Sequence, residues 1–335
     1  MKLKLLVASN DRDYLEHLSS YFSNRYASSF EVTAISGQEH FEEVLKTSRF
    51  DVALLDFAFA TSAELSAVRL PLVLAEDNAT PPDVTGFTFI RKYQRISSMV
   101  GDILEAFAGV IPGVSGFDTA RGQVTAVWSP AGGVGKTSVA LACAAHKVFM
   151  GKQVVYLNLE NFSSTYVYFN VEGKSISKAF EKLDIKSSNP QLLLKGIRQQ
   201  DSGSGIFYFC GPDNYDDINI LTQEDIETLV NACAMEADEL VIDLSSLYNA
   251  NIQKVFDLAN RVLLVVDPST TSQTKLHQFI NQHNAFVQIQ SKAVLVNNRG
   301  AKVKETSIEK TISLPLISTS DPVSVFKGLS SGDFR

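Results

Sequence analysis

The residues best placed to do chemistry lie between Ser129 and Ser138, in the string SPAGGVGKTS. Gly132, Gly133 and Gly135, with Val134 between the last two, let a backbone approach an anion with no Cβ in the way. Lys136, Thr137 and Ser138 follow, and they open a run of small apolar residues, Val139 to Ala145, that reads as a helix. A helix N-terminus presents unpaired N–H groups and the positive end of its dipole, so phosphate settles there. A lysine at this position reaches the β and γ phosphates of a nucleotide, and the hydroxyl after it completes a Mg²⁺ shell. The spacing is that of a phosphate-binding P-loop with one departure: Pro130 stands where the first glycine is usual. Nucleotide binding is therefore the expected chemistry, rather than a chance lysine after a glycine-rich turn.

Further polar residues follow apolar runs. Asn158 and Glu160 come after QVVYL, Asp243 closes ELVIDL, Asp267 follows RVLLVV, and Asn298-Arg299 follow KAVLV. In open α/β sheets the ligand lies beyond the carboxyl ends of the strands, where all of these stand. Asp243 has the place of the Walker-B acid, which with Thr137 would hold Mg²⁺ through water. Glu160 could order a water, whereas Asn158 could not act as a base. Lys136, Glu160 and Asp243 are the catalytic candidates. The binding candidates are the loop from Gly132 to Ser138 together with Asn158, Asp267, Asn298 and Arg299.

These residues need a sheet whose strands end together. Strands are expected at Val124–Trp128, Gln153–Leu157, Gly205–Phe209, Glu239–Leu244, Arg261–Val266 and Lys292–Val296, with a helix over Gln223–Ala234. Upstream, strands are expected at Lys2–Ala8, Phe30–Ile35, Val52–Leu55, Leu72–Ala75 and Phe87–Ile90. Helices are expected at Asp13–Phe22, His40–Thr47 and Ser98–Ala108. Strands alternating with helices imply two doubly wound parallel α/β domains, at 1–108 and 123–335. The linker 109–122 contains Gly, Ser and Pro without periodicity.

Composition bounds the rest. The 335 residues are 45% hydrophobic and 20% charged, those of an ordinary globular chain with about two domains. A net charge of −7 argues against non-specific nucleic-acid binding. Cys143, Cys210 and Cys233 are odd in number and widely spaced, as in a reducing compartment. No signal peptide and no transmembrane run is evident, so a cytoplasmic protein is expected.

The first 108 residues resemble a response-regulator receiver domain, a flavodoxin-like fold. Asp56 matches the phosphoacceptor and Lys92 the lysine after strand five. The family's acidic pair after strand one aligns with Ser9 and Asn10, beside Asp11. Glu76 replaces its Thr/Ser, and FAFATSAE after Asp56 lacks its Pro and Gly. Without two acidic ligands a divalent cation is held poorly, so Asp56 is expected to be structural and the domain a docking surface.

The rest, from Gln123 to Gly332, resembles the ParA/MinD ATPases with their deviant Walker A motif. AGGVGKTS, the switch Asn158-Leu159-Glu160, Asp243, VVDPS, Asn298-Arg299 and Asp321-Pro322 carry the likeness. The resemblance implies ATP and Mg²⁺ as cofactors, a homodimer formed face to face across ATP, and Asn298 reading the adenine edge. The family's signature lysine is Ala131 here. Its loss implies weak hydrolysis, and Ala131→Lys is expected to raise turnover.

A degenerate receiver joined to such an ATPase is similar to the TadZ/CpaE family of tight-adherence pilus systems. That resemblance implies an assembly hub at a cell pole, bound to other pilus-assembly proteins through the receiver-like domain. It implies no specific nucleic acid, and membrane association only through partners, since VFKGLSSGDFR is not an amphipathic membrane helix. The alternative is a MinD/ParA-like ATPase of cell positioning or DNA partition with a receiver regulatory domain. A tyrosine kinase would want a C-terminal tyrosine cluster, and the last tyrosine is Tyr248.

Overall fold

Apolar runs bounded by turn residues assemble into two separate sheets in a computed structural model. It describes residues 2–27, 29–62, 65–76, 87–110, 121–169, 173–183, 189–304 and 307–334. The chain divides into two compact units, Met1–Pro112 and Gly113–Arg335. Most of the expected linker, 111–120, lies outside the described residues.

The first unit runs β1 (Leu3–Ala8), α1 (Arg12–Arg25), β2 (Phe30–Ile35), α2 (Gln38–Thr47), β3 (Phe50–Asp56), α3 (Phe57–Ser62), β4 (Val68–Ala75), β5 (Thr88–Arg91) and α4 (Ile96–Ala108). All pairs are parallel, in the order β2-β1-β3-β4-β5. This is a doubly wound order of flavodoxin type. Leu5, Leu6, Val7, Leu54 and Leu55 are fully buried, which is why β1 and β3 read as continuous apolar runs. The stretch after Asp56, where the receiver family has a loop, is helix here. Helix α3 starts at once because Phe59 is buried and meets Phe41 edge to face at 5.1 Å.

The second unit opens with β6 (Gln123–Trp128), α5 (Lys136–Phe149), β7 (Val154–Leu159), α6 (Thr165–Tyr168), α7 (Ser177–Phe180) and α8 (Pro190–Ile197). It continues with β8 (Gln199–Gln200), β9 (Phe207–Tyr208), α9 (Gln223–Met235), β10 (Glu239–Leu244), α10 (Ala250–Leu258) and β11 (Arg261–Val266). It closes with α11 (Thr270–Asn281), α12 (His283–Phe286), β12 (Ala293–Asn297), β13 (Lys310–Ser313) and α13 (Pro322–Leu329). The sheet order is β13-β12-β11-β6-β10-β7-β9-β8, parallel except for β8 against β9. Strand β6, which carries the glycine loop, is thus central.

Two expectations change. Strand β7 runs two residues further than its apolar run, so Asn158 and Leu159 are strand and not the start of a loop. The late Asp321-Pro322 pair caps α13: Asp321 accepts from the Ser324 N–H at 2.9 Å, with Pro322 in the first turn. Edge strand β13 escapes a sequence reading because only Ile312 of its four residues is buried. No helix among the described residues is long and apolar enough to cross a membrane.

Candidate functional site

At the carboxyl end of β6 the chain turns through Ser129 to Gly135 and enters α5 at Lys136. Gly133 (φ 75°) and Gly135 (φ 89°) take left-handed backbone, which a side chain would strain. At Gly135 the approach is also close, since a Cβ there would lie 2.6 Å from Asn298 Nδ2. A Cβ at Gly132 or Gly133 would meet nothing within 4 Å, so this side of the loop is open.

Lys136 is 8% exposed and donates from Nζ to Ser246 Oγ at 2.9 Å. Ser246 in turn donates to the Ala131 carbonyl at 2.9 Å, tying the loop after β10 to the glycine loop. Ala131 itself is buried in the core with Val134 and Val139. A lysine at 131 would have to leave this core to reach a partner's phosphates.

Register brings the acid into place: Asp243 on β10 stands opposite Val127 on β6 and Asn158 on β7. Its carboxylate is fully buried. Oδ2 accepts from Tyr156 Oη at 2.9 Å and from Asn158 Nδ2 at 3.3 Å, while Oδ1 has no partner. Burial first, then the nearby Glu160, pushes the Asp243 carboxyl up to about 7; Thr137, Tyr156 and Lys136 pull it down. Burial likewise raises Glu160, against Lys136 and Asn158. Two acids therefore face one lysine, with the Thr137 hydroxyl close enough to lower the Asp243 carboxyl and Oδ1 outside hydrogen-bond geometry with any group. A buried acceptor without a donor fits a hydrated divalent cation, which supplies what the protein withholds.

The opposite side of the loop carries a second bare acceptor. Asn298, 3% exposed, donates from Nδ2 to the Val134 carbonyl at 2.8 Å and leaves Oδ1 without a partner. Its neighbour Asn297 is occupied at both ends by Val303. Arg299 has left-handed backbone (φ 54°) and its guanidinium pairs with Asp267 Oδ2 at 3.3 Å. Asp267 Oδ1 accepts from the Ser269 N–H and hydroxyl. Asp267, expected as a binding residue, thus has both oxygens occupied: it orients Arg299 and shapes the entry to α11. Asn158, expected in a switch loop, is instead locked inside the sheet. Ser138 follows Thr137 in the first turn of α5, and the Tyr168 hydroxyl approaches it.

Tyr156 and Ser246 were not among the expected site residues. A phenol within an aliphatic strand was the available signal for Tyr156, because its buried hydroxyl needs a partner. Nothing local singles out Ser246.

In the first unit the expected pocket residues do come together. Asp56 Oδ1 pairs with Lys92 Nζ at 3.0 Å, and Oδ2 accepts from Ser9 Oγ at 2.5 Å and the Asn10 N–H at 3.2 Å. Burial pulls Lys92 down most strongly, but the hydrogen bond and charge of Asp56, with Tyr93 and Glu76, together outweigh it and leave it raised. Asp11 is taken up in capping α1. Among the described residues no group of three or more His, Cys, Asp or Glu could hold a metal ion.

No protein-family model matches the sequence, and no curated protein matches it. Among solved structures, a ParA family ATPase from Chlorobium tepidum is 20% identical, covers 63% of this chain and 90% of its own, and has a TM-score of 0.51. MinD of Pyrococcus horikoshii complexed with Mg-ADP is 12% identical over 62% of this chain and 94% of its own, with a TM-score of 0.46. Cobyrinic acid a,c-diamide synthase of Mycobacterium smegmatis with an ATP analogue and magnesium is 14% identical over 62% and 92%, also at 0.46. The first likeness shows that the chain contains the α/β fold of the ParA-type P-loop ATPases.

Proposed function

We propose that the second unit binds ATP with Mg²⁺ and works as a nucleotide-dependent switch with weak hydrolysis. The observation that carries the reading is the pair of bare buried acceptors flanking the glycine loop, Asp243 Oδ1 and Asn298 Oδ1. Thr137 and Asp243 would hold the hydrated cation, and the loop from Gly132 to Ser138 with Lys136 would hold the phosphates. Asn298 and Arg299 would meet the base, where a bare amide oxygen suits the adenine amino group. When bound, Mg²⁺·ATP supplies a polarised phosphoanhydride. Lys136 neutralises it, Glu160 orders a water, and no Ala131 side chain can reach a partner subunit.

The finer reading is an assembly hub of the TadZ/CpaE kind. Two copies would meet across ATP, and the first unit would dock other pilus-assembly proteins at a cell pole. Its support is the pairing of a doubly wound unit whose Asp56 lacks metal ligands with a P-loop unit lacking the signature lysine. Calorimetric titration with Mg²⁺·ATP tests the site: binding is expected, and Lys136→Ala should abolish it. Equal affinity in the two proteins would refute the assignment. Sedimentation with and without Mg²⁺·ATP tests the dimer, and retention on DNA at low salt would favour a partition role instead.

A further inference from the structure

The buried polar chain beneath the site has no place in the expected chemistry. Tyr156 lies on β7, two residues before Asn158, so both side chains stand on one face of the strand. Its ring meets Phe169 edge to face at 6.1 Å, and Phe169 stacks on Tyr208 at 4.3 Å. This aromatic ladder fixes where the phenol oxygen can be. That oxygen uses both of its capacities: it donates to Asp243 Oδ2 at 2.9 Å and accepts from Asn158 Nδ2 at 3.1 Å. The Asn158 amide cannot turn over, because its Oδ1 accepts from the Glu160 N–H at 2.9 Å and a flipped amide would set donor against donor. An aspartate at 158 would set a second carboxylate against Asp243 Oδ2. The tyrosine and the asparagine therefore form one unit.

We propose that Tyr156 is a positioning residue for the metal side of the nucleotide site: anchored by the aromatic ladder and Asn158, it pins Asp243 by Oδ2 and keeps Oδ1 free for a cation's water shell. The inference rests on the nucleotide reading above. The phenol touches neither nucleotide nor cation and acts through Asp243 alone. Without its hydroxyl, the carboxylate can rotate about its own axis and seek partners on either side. Metal-dependent binding should weaken, while contacts of the phosphates with the glycine loop and Lys136 stay as they were.

The test is ATP affinity by calorimetry, once with Mg²⁺ and once with EDTA, for the full chain and for Tyr156→Phe. The change deletes one oxygen from a ring that keeps its packing. Magnesium should strengthen ATP binding less in the variant by about tenfold, the worth of a hydrogen bond to a charged group. Affinity in EDTA should be unchanged. Phe169→Leu, which loosens the ring but keeps the hydroxyl, should give a smaller loss in the same direction. The same magnesium enhancement in Tyr156→Phe as in the parent would overturn the inference and leave the nucleotide site standing. A parent that binds no ATP under either condition would overturn the nucleotide reading and this inference with it. Equal losses with and without magnesium would make Tyr156 a packing residue only.

Discussion

Asp243→Asn probes the electrostatics of the site without any ligand. The carboxylate is fully buried, one oxygen has no donor, and burial with the nearby Glu160 lifts its pKa from 3.8 to about 7. An acid whose pKa rises on folding keeps its proton in the folded chain after the unfolded chain has released it. Between pH 3.8 and about 7 the folded state binds more protons, so stability falls as pH rises. The penalty is absent below that window and complete above it. At about 1.4 kcal/mol per unit, the full rise corresponds to a ceiling on the order of 4 kcal/mol. The asparagine keeps the shape and an acceptor for Tyr156 but has no charge to bury. Its amide nitrogen inherits the bare position at a cost of about 1–3 kcal/mol, so the net gain at pH 8 should be about 1–3 kcal/mol.

The slope is the cleaner measure. Between pH 5 and pH 8 the parent should lose about 3 kcal/mol more than the variant, since roughly two units of the window lie above pH 5. Urea unfolding at pH 5, 6, 7 and 8 without nucleotide reads this directly. Trp128 is the only tryptophan in the chain and is buried at the end of β6, so its fluorescence follows the second unit alone. Parallel pH dependence in the two proteins would show that Asp243 does not hold a proton on folding, and the reasoning would fail.

Three further changes address the rest of the two units. Ser246→Ala removes the resting partner of Lys136, so ATP affinity should rise between about two- and tenfold by calorimetry; unchanged affinity would count against an exchange of partners. Ala131→Lys places a long charged side chain in the core, so the thermal midpoint should fall without faster phosphate release. A gain in turnover would mean that the side chain can leave the core. In the first unit, Asp56→Ala leaves Lys92, 5% exposed, with the more distant Glu76 at 3.6 Å and the faces of Tyr14 and Tyr93. The loss should be about 3 kcal/mol, read by circular dichroism melting, and a negligible loss would mean the pair is not structural.

The parts of the site visible in the sequence are those whose logic is local. Gly133, Gly135, Lys136 and Thr137 act within one turn of chain, and Asn298 is fixed by the end of an apolar run. What the sequence hid depends on register between strands far apart in the chain. That Asn158 stands opposite Asp243, and that Tyr156 therefore reaches the same carboxylate, follows from the pairing of β7 with β10. Ser246 reaches Lys136 only because the loop after β10 folds back over the glycine loop. Helix α3 was hidden for a similar reason: Phe59 forms helix because Phe41, on another element, is there to meet it.

The two units carry acids at equivalent places, each at the carboxyl end of a central parallel strand, and the two have opposite fates. Asp56 has both oxygens engaged from within, Oδ1 by Lys92 and Oδ2 by Ser9 and Asn10, at the positions where acidic metal ligands would be wanted. Hydrogen bonds from Ser9 and Asn10 and the ion pair with Lys92 satisfy that carboxylate from within the chain. Asp243 is more deeply buried yet is engaged on one side only. A folded chain closes off a buried acceptor wherever it can, because leaving it bare costs about 1–3 kcal/mol. Ser246 lies within the same loop cluster but is turned toward Lys136 and Ala131, not toward Asp243. The open valence at Asp243 is therefore the feature that packing alone does not explain, and it is what the proposed nucleotide site rests on, in contrast to a carboxylate already satisfied by its neighbours.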